Sequence, residues 1–106
     1  MAASNAATFD WSDGTAAGQF RLTGALSIDT AAAILARGSR AFAAAPQVSV
    51  DLSGITQADS AGLSVLLAWV GRARREGRRL SFTSLPEPLL RSARLCAVEA
   101  LLSAAG

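Results

Sequence analysis

The sequence predicts a single α/β domain in which a mixed, mostly parallel four-stranded sheet packs against about three helices. Three observations predict it. Strand-like alternation and helical spacing follow one another twice along the chain, so that two strand–helix–strand crossovers place parallel strands side by side with right-handed connections. A turn-linked pair of short apolar alternations precedes them and supplies an antiparallel edge. The chain has 106 residues, half of them apolar and 17% charged, which suits one globular core and not two. The domain is expected to span residues 1–106, with an ordered core over about 8–102.

The elements follow in order. Phe9 and Trp11 fall on one face of a strand over 8–11, and Ser12-Asp13-Gly14 is turn chemistry. A second strand over 19–23 turns Phe20 and Leu22 inward, and Gly24 breaks its pattern. Asp29 or Thr30 then caps a helix, with Ile28 placed to staple onto the first turn. Ile34, Leu35, Gly38, Ala41 and Phe42 form its core-facing stripe, and Pro46 lies at or just beyond its end.

The third strand, over 47–53, alternates Val48, Val50 and Leu52 with Ser49 and Asp51, and 54–58 reads as a short connection. A helix from Asp59 or Ser60 to about Glu76 is closed by Gly77 as a left-handed cap. Leu80 and Phe82 mark a strand over 79–84, and Pro86 suits the first turn of a third helix through Leu89, Leu90, Ala93 and Cys96. The final segment, 98–102, is apolar and of unassigned state.

Composition narrows the chemistry. There is no His and a single Cys, which removes Ser-His-Asp triads, Cys-His pairs, an internal disulfide and most metal sites. No catalytic residue, cofactor or metal is therefore expected. Asp10, Asp13 and Asp29 are spread over loops and caps without metal-ligand spacing. No apolar run is long enough to span a membrane, and the N-terminus lacks a signal peptide's basic start and apolar core, so a cytoplasmic location is expected.

The net charge is only +2, and five of the ten arginines fall between Arg72 and Arg79. Such a run reads either as a solvated helix end that complements the dipole or as a contact for phosphate or anionic lipid. Without interleaved aromatic residues it does not read as a nucleic-acid surface.

Two features point to binding. At Asp59-Ser60 a buried strand delivers the chain to a helix start, where unsatisfied N–H groups and the dipole favour negative charge. The pair is either a plain N-cap or a site; a phosphate on Ser60 would then be held by those backbone donors. Gly62 in the first turn permits close approach of a neighbour.

Along the same helix, Leu63, Leu66, Leu67 and Val70 share one side and should face the sheet. Ala61, Val65, Ala68 and Trp69 fall off that stripe, with Arg72 continuing their side. Trp69 either packs under a loop at the rim or anchors an interface, as Trp and Arg often do. Asp59, Ser60, Ala61, Gly62, Val65, Trp69 and Arg72 are accordingly the candidate partner-binding edge.

The string Val50-Asp51-Leu52-Ser53-Gly54 through Asp59-Ser60-Ala61-Gly62-Leu63 closely resembles the signature of STAS domains, and Leu22-Thr23-Gly24-Ala25-Leu26 before a capped helix fits the same family. Leu66-Leu67-Ala68-Trp69 before an Arg-rich helix end, and Leu85-Pro86 leading to Ala93-Arg94-Leu95-Cys96, resemble its MlaB-like branch, the STAS subunits of bacterial phospholipid-transport ABC systems. The resemblance implies a non-catalytic subunit that binds the cytoplasmic MlaF-like ATPase, in complex with its membrane permease, and supports assembly and activity. It would then lie in the cytoplasm, peripheral to the inner membrane through that partner. The family's other branch implies an anti-sigma factor antagonist switched by phosphorylation of Ser60.

Overall fold

A computed structural model describes residues 8–43, 45–95, 98 and 102. The order is β1 (Phe9–Asp13), β2 (Gln19–Leu26), α1 (Ala31–Ala43), β3 (Gln47–Ala58), α2 (Ser60–Glu76), β4 (Arg79–Thr83) and α3 (Glu87–Leu95). The strands lie side by side in the order β1-β2-β3-β4, with β1 antiparallel to β2 and the other pairs parallel. This is the expected mixed sheet with three helices.

One face of the sheet is apolar. Trp11, Leu22, Val48, Val50 and Leu80 are buried on it, and the helices cover them, α1 against α2 and α2 against α3. The alternate residues face water: Asp10, Ser12, Arg21 and Thr83 are exposed, and Ser49, Asp51 and Ser81 are half-buried. Arg21 and Asp51 sit opposite each other in the β2–β3 register and pair at 3.5 Å. Because both crossover helices start at the carboxyl ends of parallel strands, α1 and α2 run side by side in the same direction.

Strand β3 is longer than its alternation suggests, since 54–58 continues it instead of forming a connection. The reason is β2, which extends to Leu26 and pairs Gly24 with Ile55, Ala25 with Gln57 and Leu26 with Ala58. Two register shifts interrupt this pairing, after Arg21 and after Gly24, so the period of two is lost while the ladder continues. Gly24 itself has φ 93, the left-handed region that a side chain resists.

Trp69 is fully buried, at 0% exposure, and Val65 at 4% lies in the same core. Trp69 is lost from the candidate edge, and Val65 can be no more than the floor beneath it. The indole meets Phe42 and Trp11 edge-on, with ring centroids 5.2 and 5.8 Å away, and lies nearly parallel to Phe82 at 6.5 Å. Gly38 of α1 makes the room: a Cβ there would fall 2.3 Å from the Trp69 ring. The apolar stripe of α2 is thus rotated from the one expected, with Gly62, Leu63, Val65, Leu66, Trp69, Val70 and Ala73 buried and Leu67 only half-buried.

Two further expectations change. Ile28 does not staple onto α1 but stands 74% exposed. Of the two capping candidates, Thr30 is the one directly before α1, but its hydroxyl serves the loop and not the helix, accepting from the Ser27 N–H and donating to the Ala25 carbonyl. Cys96 lies outside the described residues, as does most of 98–106, although Leu102 is buried in the core and Val98 packs against it.

The arginine run is largely structural at two of its members. The Arg78 guanidinium donates to the Phe42 and Ala45 carbonyls and so holds the C-terminal end of α1. Glu76 lies between Arg72, at 3.0 Å, and Arg78, at 2.7 Å. Gly77 closes α2 in the left-handed conformation, as expected.

Truncating the indole leaves a large void among rings that cannot collapse. Trp69→Ala should lower stability by about 3–5 kcal/mol, read as a fall in the urea midpoint.

Candidate functional site

The carboxyl end of the parallel strands brings together the β2–α1 loop and the start of α2, and a single carboxylate joins them. Asp59, in extended backbone geometry, caps α2 as expected: its Oδ1 accepts from the Ala61 and Gly62 N–H groups at 2.9 and 3.2 Å. Its Oδ2 accepts from the Ile28 N–H at 3.1 Å, across 31 residues of sequence. Its backbone N–H donates to the Leu26 carbonyl at 3.3 Å. The cap is therefore also a tie between two loops.

Gly62 completes the junction. A Cβ there would lie 2.3 Å from the Leu26 carbonyl oxygen, so only glycine lets the first turn of α2 rest on the end of β2. Its close neighbour is thus within the fold, and Gly62 is buried. Asp59 is half-buried and Ala61 likewise, whereas Ser60, the first residue of the helix, is exposed.

The expected anion cradle for a phosphate on Ser60 is already filled. The Asp59 carboxylate takes the Ala61 and Gly62 donors, so a dianion on Ser60 would meet a like charge beside it. Added charge at this point would repel, not settle.

Of the candidate edge, Ser60 and Ala61 reach the surface at this end, and Arg72 is half-buried and paired with Glu76 about three turns further along. What the spacing missed is the other wall. Ile28, exposed at 74%, and Leu35, at 36%, are two of the three large hydrophobic side chains that stand exposed among the described residues. Both lie beside the exposed start of α2. The signal was present in Ile28, but its position before a cap suggested a staple.

A separate polar hollow of about 460 Å³ lies on the bare face of the sheet, where Ser12, Arg21, Asp51 and Thr83 line it. The Ser53 N–H, followed by the Ser53 hydroxyl and Arg21, holds the Asp51 carboxyl below its ordinary range. Within it Arg21 and Asp51 pair with each other.

The family model described as "Mlab, STAS domain" matches residues 10–103. The fold is similar to the solved structure of the anti-sigma factor antagonist SpoIIAA in its unphosphorylated form, with a TM-score of 0.68 at 13% identity, covering 89% of this chain and 84% of that one. No curated protein matches the chain. No helix among the described residues is long and apolar enough to cross a membrane.

Two expectations test the site's construction. Asp59→Ala removes a cap and an inter-loop tie and should destabilise by about 1–2 kcal/mol, while Ser60→Ala, at an exposed position, should stay within about 0.5 kcal/mol in the same urea titration. At the far end of α2, Arg72 and then Arg78 hold the Glu76 carboxyl below the ordinary value of 4.5. A depressed carboxyl stabilises the fold above its unfolded pKa and loses that contribution as the pH falls through the folded one. Glu76→Gln should therefore be slightly less stable than the wild type in the neutral range and converge with it as the pH falls below 4.5, so that its acid loss of stability is flatter.

Proposed function

The chain belongs to the MlaB-like STAS domains, and on that premise we propose that it is a non-catalytic subunit that docks onto the cytoplasmic ATPase of a phospholipid-transport ABC complex and supports its assembly and activity. The observation that carries the docking is the exposed end built around Asp59: Ser60 and Ile28 face water there while the backbone beneath them is tied in place. Large exposed aliphatic side chains on a fixed backbone are the material of protein interfaces, since little ordering remains to be done on binding. The choice of partner rests on the family branch. The membrane permease would join through the ATPase, and the domain would then lie at the inner face of the membrane through that partner.

The anti-sigma antagonist reading is favoured by one observation, the accessibility of the Ser60 hydroxyl to a kinase. In that case the repulsion between a phosphate and Asp59 would provide the switch.

Co-expression with the ATPase and permease subunits discriminates between them. The wild-type chain should co-purify with the ATPase, and Ser60→Glu should weaken that binding about ten-fold, because its charge enters a contact whose local donors are already taken. Absence of co-purification, together with one phosphate placed on Ser60 by an anti-sigma kinase and ATP, would decide for the antagonist.

A further inference from the structure

Beside Ser60, an open groove of about 440 Å³ lies between α1 and α2. From α1 come Ala31, Ala32 and Leu35; from α2 come Ala61, Ser64 and Ala68, with Val65 at the floor. Apart from Ser64 the lining is aliphatic, and most of it is as small as alanine. Ile28 stands exposed at one mouth. The spacing from Ala61 to Ala68 is seven residues, about 10 Å or two helical turns.

The charges at the two ends differ. Helix α1 carries no acidic residue, and α2 carries none before Glu76. Asp29 is exposed just before α1, at the mouth beside Ile28. Arg72 and Arg75 fall on the stripe of α2 that continues the groove at the other mouth, since residues 61, 68, 72 and 75 lie within about 60° of one another at about 100° per residue.

From these features we infer that the groove takes an amphipathic helix of the ATPase partner, lying antiparallel to α1 and α2. This rests on the docking function proposed above and specifies its contact. Small residues on both walls let a third backbone approach closely, and anchors at positions i, i+3 or i+4, and i+7 match two turns of groove. The dipoles of α1 and α2 point the same way, so an antiparallel occupant aligns favourably with both. Its first turn, where acidic residues are favoured, then lies by Arg72 and Arg75, and its last turn, where basic residues are favoured, lies by Asp29. Asp29 and Arg75 each meet their complement in this direction and a like charge in the other, while Arg72 keeps its own partner, Glu76.

The test is calorimetric titration of the full chain with the purified ATPase subunit. Leu35→Arg and Ala68→Arg, both at exposed positions, should each weaken binding at least ten-fold with the thermal midpoint unchanged. Ser81→Arg, on the bare face of the sheet, should bind as the wild type does. Arg75→Glu should weaken binding about five-fold at low salt; tighter binding would overturn the direction assigned to the occupant. If the wild type binds and both groove variants bind equally well, the helix in the groove is wrong while the docking function stands. If the wild type does not bind, both fall together. A dimer of this chain in sedimentation that Ala68→Arg dissolves would assign the groove to a second copy and overturn the inference.

Discussion

The carboxylate of Asp59 sits where three parts of the chain must meet. It stands at the end of β3, it satisfies two of the orphan donors that every helix start presents, and it reaches back to the loop that leaves β2. A serine or threonine could cap α2 but would offer one oxygen, not two diverging ones. The absence of a side chain at Gly62 lets the same helix start press on the Leu26 carbonyl. With these two residues in place, the exposed Ser60 and Ile28 have fixed positions relative to each other. The rest of the binding end follows from that geometry.

The other half of the architecture is aromatic. Trp69 gathers Trp11 from β1, Phe42 from α1 and Phe82 from β4 around one indole, and Phe20 stacks on Trp11 at 5.3 Å. Among the described residues the indole N–H finds no partner, nor does the Ser27 hydroxyl near the binding end. Each is a cost the packing carries. At the opposite end of the domain Arg78 performs for α1 what Asp59 does for α2, satisfying backbone groups that the helix cannot.

Most of the fold was legible because its signals were local. Alternation in Val48-Val50-Leu52, the Asp59 cap and the Gly77 stop each depend on a few neighbouring residues, and the structure has all three. The failures were tertiary. Residues 54–58 lack alternation because β2 imposes strand structure on them through a shifted register, and nothing within the segment announces that. Trp69 looked misplaced because the expected stripe of α2 was drawn through Leu67; the void at Gly38, 31 positions earlier, decides the rotation of the helix. For the site, Ser60 and Ala61 follow from the cap, whereas the α1 wall is hidden because the spacing puts Leu35 on the core-facing stripe and Ile28 before a cap reads as a staple. The partner was never legible in the physics of the chain and came from the family signature.

The fit between Gly38 and Trp69 has an evolutionary corollary. A methyl group at 38 would overlap three atoms of the indole, and a smaller ring at 69 would leave the space beneath Phe42 empty. Neither position can drift alone without passing through a badly packed intermediate. Relatives that carry a larger residue at the first position should therefore carry a smaller one at the second, and the two columns should change as a pair.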